Sequence, residues 1–89
     1  MKTYSTTTGQ EFTLDYASAL TAGYGHKKIT VVLVSEIYGT KEFSAVTSNM
    51  PGYDDATDLD GQEKYEALFE LIESKLDDEI YYWLQGEEI

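Results

Sequence analysis

The 89-residue sequence contains no cysteine and no arginine, and it has only one histidine and one proline. Without cysteine the chain can form no disulfide and has no thiolate for catalysis or metal binding. No stretch approaches the ~18 consecutive apolar residues of a membrane-spanning helix. The beginning, MKTYSTTTGQ, lacks the apolar run of a signal peptide. We therefore expect a cytoplasmic protein that folds as one small domain over residues 1–89.

Positive charge is scarce, and the negative charge is concentrated in the second part of the chain. Residues 1–50 contain four acids and four lysines, which cancel. Residues 51–89 contain thirteen acids and two lysines, and this difference accounts for the whole net charge of −11. Such a chain is repelled by phosphate backbones and by anionic lipid. We expect it to bind neither nucleic acid nor membranes directly.

The first part of the chain has the pattern of β-strands. A β-branched run at 29–34 is followed by a turn near Tyr38–Gly39–Thr40 and by a second strand at 42–47. The first of these strands is apolar on both faces, which is typical of a strand in the middle of a sheet. It therefore needs a second neighbour.

The N-terminal segment supplies that neighbour. The sequence predicts a hairpin that turns at Thr8–Gly9, with alternating side chains that face inward at Phe12, Leu14 and Tyr16. After it, alanine and leucine favour a short helix near residues 16–22, although a loop is also compatible with this composition.

A long C-terminal helix is the strongest prediction. It extends from about Asp60 to Gln85 and ends at Gly86, and Asp60 and Glu63 have the spacing of a capping box. Apolar residues recur on one side of this helix at Tyr65, Leu68, Phe69, Ile72, Leu76 and Trp83. The sequence thus predicts an α+β fold, in which a three- to four-stranded antiparallel sheet packs against one long C-terminal helix.

The segment DDATDLDG places aspartates before a glycine, as an EF-hand calcium loop does. With Gly61 at loop position 6, Asp58 and Asp60 occupy positions 3 and 5, but positions 1 and 12 fall on Ala56 and Ala67. The closing carboxylate is therefore missing. Low-affinity calcium binding is the weaker alternative. We favour a solvated acidic linker that ends in a helix cap, with no metal ion and no cofactor.

Catalytic residues are not evident. General acid–base catalysis by carboxylates requires one desolvated acid, whereas the acids of this chain are crowded among polar residues. His26, the single histidine, lies beside two lysines in AGYGHKK, which also lacks the spacing of a phosphate-binding loop. We expect a protein that is not an enzyme.

Five acids share one side of the predicted helix, within an arc of about 80° at 100° per residue. We call them the acidic strip: Glu63, Glu66, Glu70, Glu73 and Asp77. Like charges four residues apart cost ~0.2–0.5 kcal/mol per pair, so the arrangement is locally unfavourable. It is either a solubilising surface or an imitation of a nucleic-acid backbone that occupies a basic site on a protein partner, with Asp58 and Asp60 extending it.

In size, charge and lack of catalytic residues, the chain resembles the small acidic DNA-mimic inhibitors, among them phage-encoded anti-restriction and anti-CRISPR proteins. The resemblance implies an inhibitor that binds a nucleic-acid-binding protein stoichiometrically. It is a resemblance of overall character, and it assigns no role to any single residue.

Exposed tyrosines offer a second hypothesis, an interaction module that binds through aromatic side chains. Leu71 and Tyr82 project from the helix side opposite the acidic strip, and Tyr81 lies with the acids. Tyrosines in exposed positions are typical interface anchors. Self-association through this surface would give a homodimer.

Overall fold

The computed structural model describes residues 3–6, 9–21, 23–48 and 51–86. It has two layers, a four-stranded antiparallel sheet in the order β1–β2–β3–β4 and a long helix across one face, which confirms the predicted α+β fold. The elements are β1 (Thr3–Ser5), β2 (Glu11–Thr21), a 3-10 turn (Gly23–Gly25), β3 (Lys27–Ser35), β4 (Gly39–Thr47), α1 (Tyr53–Thr57) and α2 (Gly61–Leu84).

Strand β3 is the centre of the sheet, as its sequence predicts. It pairs with β2 on one side and with β4 on the other. Its alternate residues Ile29, Val31 and Leu33 are fully buried under α2. The intervening residues are half-buried on the opposite face, where none of the described elements covers the sheet.

The N-terminal hairpin forms, with one change in register. Strands β1 and β2 pair antiparallel, and Gly9 in the turn has a φ of 85°; Thr8 lies outside the described residues. Phe12 and Leu14 face inward as predicted, but Tyr16 is 46% exposed. A β-bulge between Leu14 and Tyr16 adds one residue to β2, so the next inward position falls to Ala17.

The prediction of a short helix near residues 16–22 is wrong. Strand β2 continues to Thr21, and Ala17 and Ala19 pair with Val31 and Ile29 of β3; residue 22 lies outside the described part. The non-local pairing with the central strand outweighs the weak helix preference of alanine. Because Ala17 lies under α2 with 2% exposure, a small side chain suits the position.

Helix α2 begins and ends within a residue of the predicted limits. Asp60 is the N-cap residue, with an extended backbone, but its side chain makes no capping hydrogen bond, so the capping box is present in spacing only. Gln85 is the C-cap, and Gly86 follows with a φ of 76°, a left-handed conformation that favours glycine. Twenty-four residues give a length of about 36 Å at 1.5 Å per residue, the full length of the molecule.

The core lies between α2 and the sheet. The helix contributes the predicted apolar residues, including Phe69 at 0% and Trp83 at 8% exposure, and Tyr65 packs at its margin. Ile80 and Leu84 are buried as well and extend the apolar surface to the end of the helix. No helix of the described residues is long and apolar enough to cross a membrane.

The acidic linker before α2 is more structured than predicted. Residues Tyr53–Thr57 form the short helix α1, which contacts α2. Ala56 is buried at 4% exposure and Tyr53 packs against the core. These two side chains anchor the segment, while Asp54 and Asp55 remain exposed.

Candidate functional site

The acidic strip follows α2 along the side that borders the β1–β2 hairpin. Its first and last residues, Glu63 and Asp77, are about 21 Å apart along the helix axis at 1.5 Å per residue. Glu63, Glu70 and Asp77 are exposed, whereas Glu66 and Glu73 are half-buried. The strip is therefore a row of five carboxylate side chains, two of which are partly covered by neighbouring residues.

Tyr4 of β1 links the strip to the hairpin. Its ring stacks on Phe12, with centroids 5.6 Å apart, and meets Phe69 edge-on at 4.9 Å. Burial raises the pKa of the Tyr4 hydroxyl to about 12, and the nearby carboxylates of the strip add to the increase. The carboxylates responsible are those of Glu66, Glu70 and Glu73. The negative potential of the strip thus reaches the Tyr4 hydroxyl.

A groove of about 300 Å³ opens between the hairpin and the second half of the strip. It combines an apolar floor with two carboxylates, two aliphatic hydroxyl groups and a tyrosine ring. The lining residues are Ser5, Thr6, Phe12, Phe69, Glu73, Asp77, Ile80 and Tyr81. An apolar floor beside carboxylates suits a lysine or arginine side chain, whose alkyl stem packs while its cationic head pairs.

Charge is divided between the two layers of the fold. The four strands contain three acids and three lysines and are neutral in sum, whereas α2 contains seven acids and two lysines, a net charge of −5. Lys41 lies over the ring of Phe43 at 5.4 Å, and Lys27 lies over that of Tyr53 at 5.0 Å. The helix layer therefore presents a concentrated negative surface.

Asp58 and Asp60 lie between the two helices, and both are exposed. Asp60 adjoins the strip at the start of α2, and Asp58 is the C-cap residue of α1. Within the described ranges, no three His, Asp or Glu side chains are grouped so that they could hold a metal ion.

The exposed tyrosines and Leu71, which were considered as an interaction surface, have different environments. Tyr81 and Tyr82 are 37% and 40% exposed, and their rings meet edge to face at 5.6 Å. Leu71 instead packs against the core from a half-buried position, because α1 lies beside this part of α2. Tyr24, in the turn after β2, is fully exposed and has a left-handed backbone with a φ of 62°.

A second groove, of about 560 Å³, was not predicted from the sequence. It lies where the β1–β2 hairpin and the β3–β4 turn meet the end of α2. Ile37, which is 82% exposed, and Tyr38 are at its edge, and the Gln10 side-chain amide donates a 2.7 Å hydrogen bond to the Leu84 carbonyl oxygen beside it. Two large apolar residues in a turn are the only sequence signal for it. His26 is exposed and lines none of the grooves described.

Comparisons of the chain with protein-family models, with curated proteins and with solved structures found no match.

Proposed function

We propose that this protein is a non-enzymatic acidic binding protein that occupies a basic, nucleic-acid-binding site on a protein partner, as phage anti-defence inhibitors do. The observation that carries the proposal is the acidic strip, a row of five carboxylates along one side of a helix that spans the molecule. Inhibition of this kind is stoichiometric and needs no turnover.

The spacing of the strip supports the imitation of a phosphate backbone. Successive members that are three or four residues apart are separated by 4.5–6 Å along the axis at 1.5 Å per residue, a separation similar to that of successive phosphates. A groove on a partner that holds several phosphates with lysines and arginines can hold these carboxylates in their place. Because α2 fixes the backbone of all five residues, only their side chains need ordering when they bind.

The groove beside Glu73 and Asp77 supplies a place for one partner side chain to insert. A lysine or arginine there would pack its stem against the exposed ring of Tyr81 while its charge lies near the two carboxylates. The concentrated charge of the helix layer would also accelerate association with a basic surface, an effect that salt weakens.

The test starts from capture of partners on the immobilised protein at low and at high salt, followed by their identification. Each captured protein is purified, and its labelled DNA or RNA is competed with the acidic protein. We expect displacement at equal molar amounts that weakens as salt rises. A partner that retains its nucleic acid while it binds the acidic protein would contradict the proposal.

Two variants of equal charge make this test specific to the strip. Glu70→Lys with Asp77→Lys changes two exposed strip residues, and Glu36→Lys with Asp78→Lys changes two exposed acids outside the strip. Each pair adds four units of charge, from −11 to −7. The first pair should lose displacement and the second should keep most of it. Equal activity of the two would refute a role for the strip.

A second candidate, an interaction module that uses tyrosines, has support from the exposed pair Tyr81 and Tyr82 at the end of α2. Tyr82→Ala would abolish capture of a partner if this surface carries the binding, and the capture would then depend little on salt. Under the strip hypothesis, Tyr82→Ala leaves displacement unchanged, because Tyr82 projects away from the strip.

A further inference from the structure

The sheet has a second face, and it differs in chemistry from the rest of the surface. Helix α2 covers one face, and none of the described elements covers the other. We call the other the open sheet face. Its residues are Glu11, Thr13, Ser18, Leu20, Lys28, Thr30, Val32, Val34, Thr40, Glu42, Ser44 and Val46. On β3 and β4 this face has a single acid, Glu42, and a single lysine, Lys28. Strand β2 adds Glu11 at one end of the sheet and the exposed bulge residue Asp15, while the Tyr16 ring packs on Tyr65 of α2.

The open sheet face is more apolar than a solvated sheet face needs to be. A sheet with one face in water usually alternates apolar and charged residues along each strand. Here β3 has Val32 and Val34 on this side, and its neighbours add Leu20 and Val46, each 54% exposed. Small hydroxyl residues occupy most of the other positions, so a second sheet can approach closely.

Lys28 and Glu42 of this face are placed to pair with a second copy. The cross-strand row Ser18, Thr30, Ser44 divides the face. Lys28 is two residues to one side of this row on β3, and Glu42 is two residues to the other side on β4. About 13 Å separates them along the strands at ~3.3 Å per residue, too far for an ion pair within one chain, and neither has an ion-pair partner among the described residues.

A two-fold axis along that middle row brings the charges together. A rotation of 180° about this axis places β3 of the second copy over β3 of the first. Lys28 of each copy then lies on the same side of the middle row as Glu42 of the other copy. Lys28 of one copy and Glu42 of the other are then separated by one strand spacing, about 4.8 Å, in the plane of the sheets. The two sheets are themselves about 10 Å apart. Both distances are within the combined reach of the two side chains. The symmetry produces the pair twice.

The size of the face is sufficient for a weak dimer. Three strands of about nine residues form a footprint of about 30 by 14 Å. Because side chains stand out from the sheet, the accessible area exceeds this footprint, and two copies would together bury about 1,000 Å² or more, at the lower end of specific interfaces. A dimer that dissociates on dilution is expected.

We propose that two copies of this chain pack through their open sheet faces, in four layers of helix, sheet, sheet and helix, with Lys28 of each copy paired to Glu42 of the other. The two acidic strips then lie on opposite outer surfaces, so the dimer presents two binding surfaces. The proposal does not depend on the function of the strip, because oligomeric mass is measured without any partner.

Sedimentation equilibrium over a wide concentration range tests the dimer. The mass should rise from 10.0 kDa towards twice that value. Val32→Lys, which places a charge on the central strand two residues from the middle row, should remain a monomer, while Ile37→Lys, the same kind of change in an exposed turn, should still dimerise. A native chain that stays monomeric throughout, or a Val32→Lys chain that still dimerises, would overturn the proposal.

The charge pair has its own test. Lys28→Glu should weaken the dimer, because it opposes two carboxylates, and the exchange Lys28→Glu with Glu42→Lys should restore it. Zero-length carbodiimide cross-linking of the native chain gives an answer that needs no variant. A Lys28–Glu42 cross-link confined to dimers supports the proposal, and dimers that lack the cross-link, or an exchange that fails to restore association, refute this arrangement.

Discussion

The rings of Phe43 and Trp83 meet edge to face, with centroids 5.6 Å apart and planes inclined at 64°. Phe43 is on the edge strand β4, and Trp83 is in the last turn of α2. Both side chains are buried, at 6% and 8% exposure. This contact fixes the C-terminal end of the helix to the outer strand of the sheet, and the acidic strip depends on the position of that helix.

Replacement of Trp83 should therefore destabilise the whole fold. Trp83→Ala removes a buried aromatic side chain and should cost about 3–5 kcal/mol, a large fraction of the stability of so small a domain. Urea denaturation followed by circular dichroism measures the loss. Tyr82→Ala, at the adjacent and partly exposed position, should cost much less. Similar losses for the two variants would contradict the placement of Trp83 in the core.

The raised pKa of Tyr4 predicts a loss of stability in alkali. The unfolded tyrosine ionises near pH 10, whereas the folded one keeps its proton until about pH 12. The folded state thus binds more protons in this range, and the contribution is complete below pH 10 and lost as pH rises to about 12. The stability of the native chain relative to Tyr4→Phe should fall over that range. A constant difference would show that the hydroxyl titrates normally.

The strip contributes to this pKa, and the contribution can be measured. Glu66, Glu70 and Glu73 raise the Tyr4 pKa through their negative charge, although burial is the larger cause. Glu70→Gln should therefore lower the pKa without returning it to its ordinary value. Ultraviolet titration of tyrosinate, assigned by comparison with Tyr4→Phe, measures it. An increase would mean that the carboxylate is oriented differently from the structure.

Charge reversal within the strip should stabilise the helix. Asp77→Lys converts the like-charge pair with Glu73 into an attractive pair four residues apart, a change of roughly 0.4–1 kcal/mol. Asp78→Lys is the matched control, because Asp78 follows Lys75 by three residues and its reversal replaces attraction with repulsion. Thermal unfolding should rank the first variant above the native chain and the second at or below it. The reverse ranking would contradict the arrangement of charges along α2.

Calcium should have little effect on stability. The positions that would complete an EF-hand are Ala56 of α1 and Ala67 of α2, which cannot ligate calcium. A ligand that is bound at a hundred times its Kd would add about 2.7 kcal/mol. Addition of calcium to chelator-treated protein should shift the Tm no more than magnesium does at the same concentration. A selective increase of several degrees with calcium would support a specific site near Asp58 and Asp60.

The elements with strong periodicity were predictable from the sequence alone. Helix α2 was predictable because apolar residues recur at helical spacing over 24 residues and Gly86 ends the pattern. The central place of β3 followed from its apolar residues on both faces. The acidic strip was also predictable as a set, because helical geometry alone places its five members on one side.

Features that depend on contacts between residues distant in sequence were not predictable in this way. Residues 16–21 form a strand because they pair with β3. Because of the bulge after Leu14, Ala17 faces inward and Tyr16 does not. The approach of β1 to α2 set Glu66 and Glu73 against the protein and brought Tyr4 near their charges. The opposition of Lys28 and Glu42 about the middle row of the open sheet face likewise depends on the register of β3 and β4. A local pattern can specify which side of one element is apolar, but it does not contain the partner, and the partner's register determines which side chains meet.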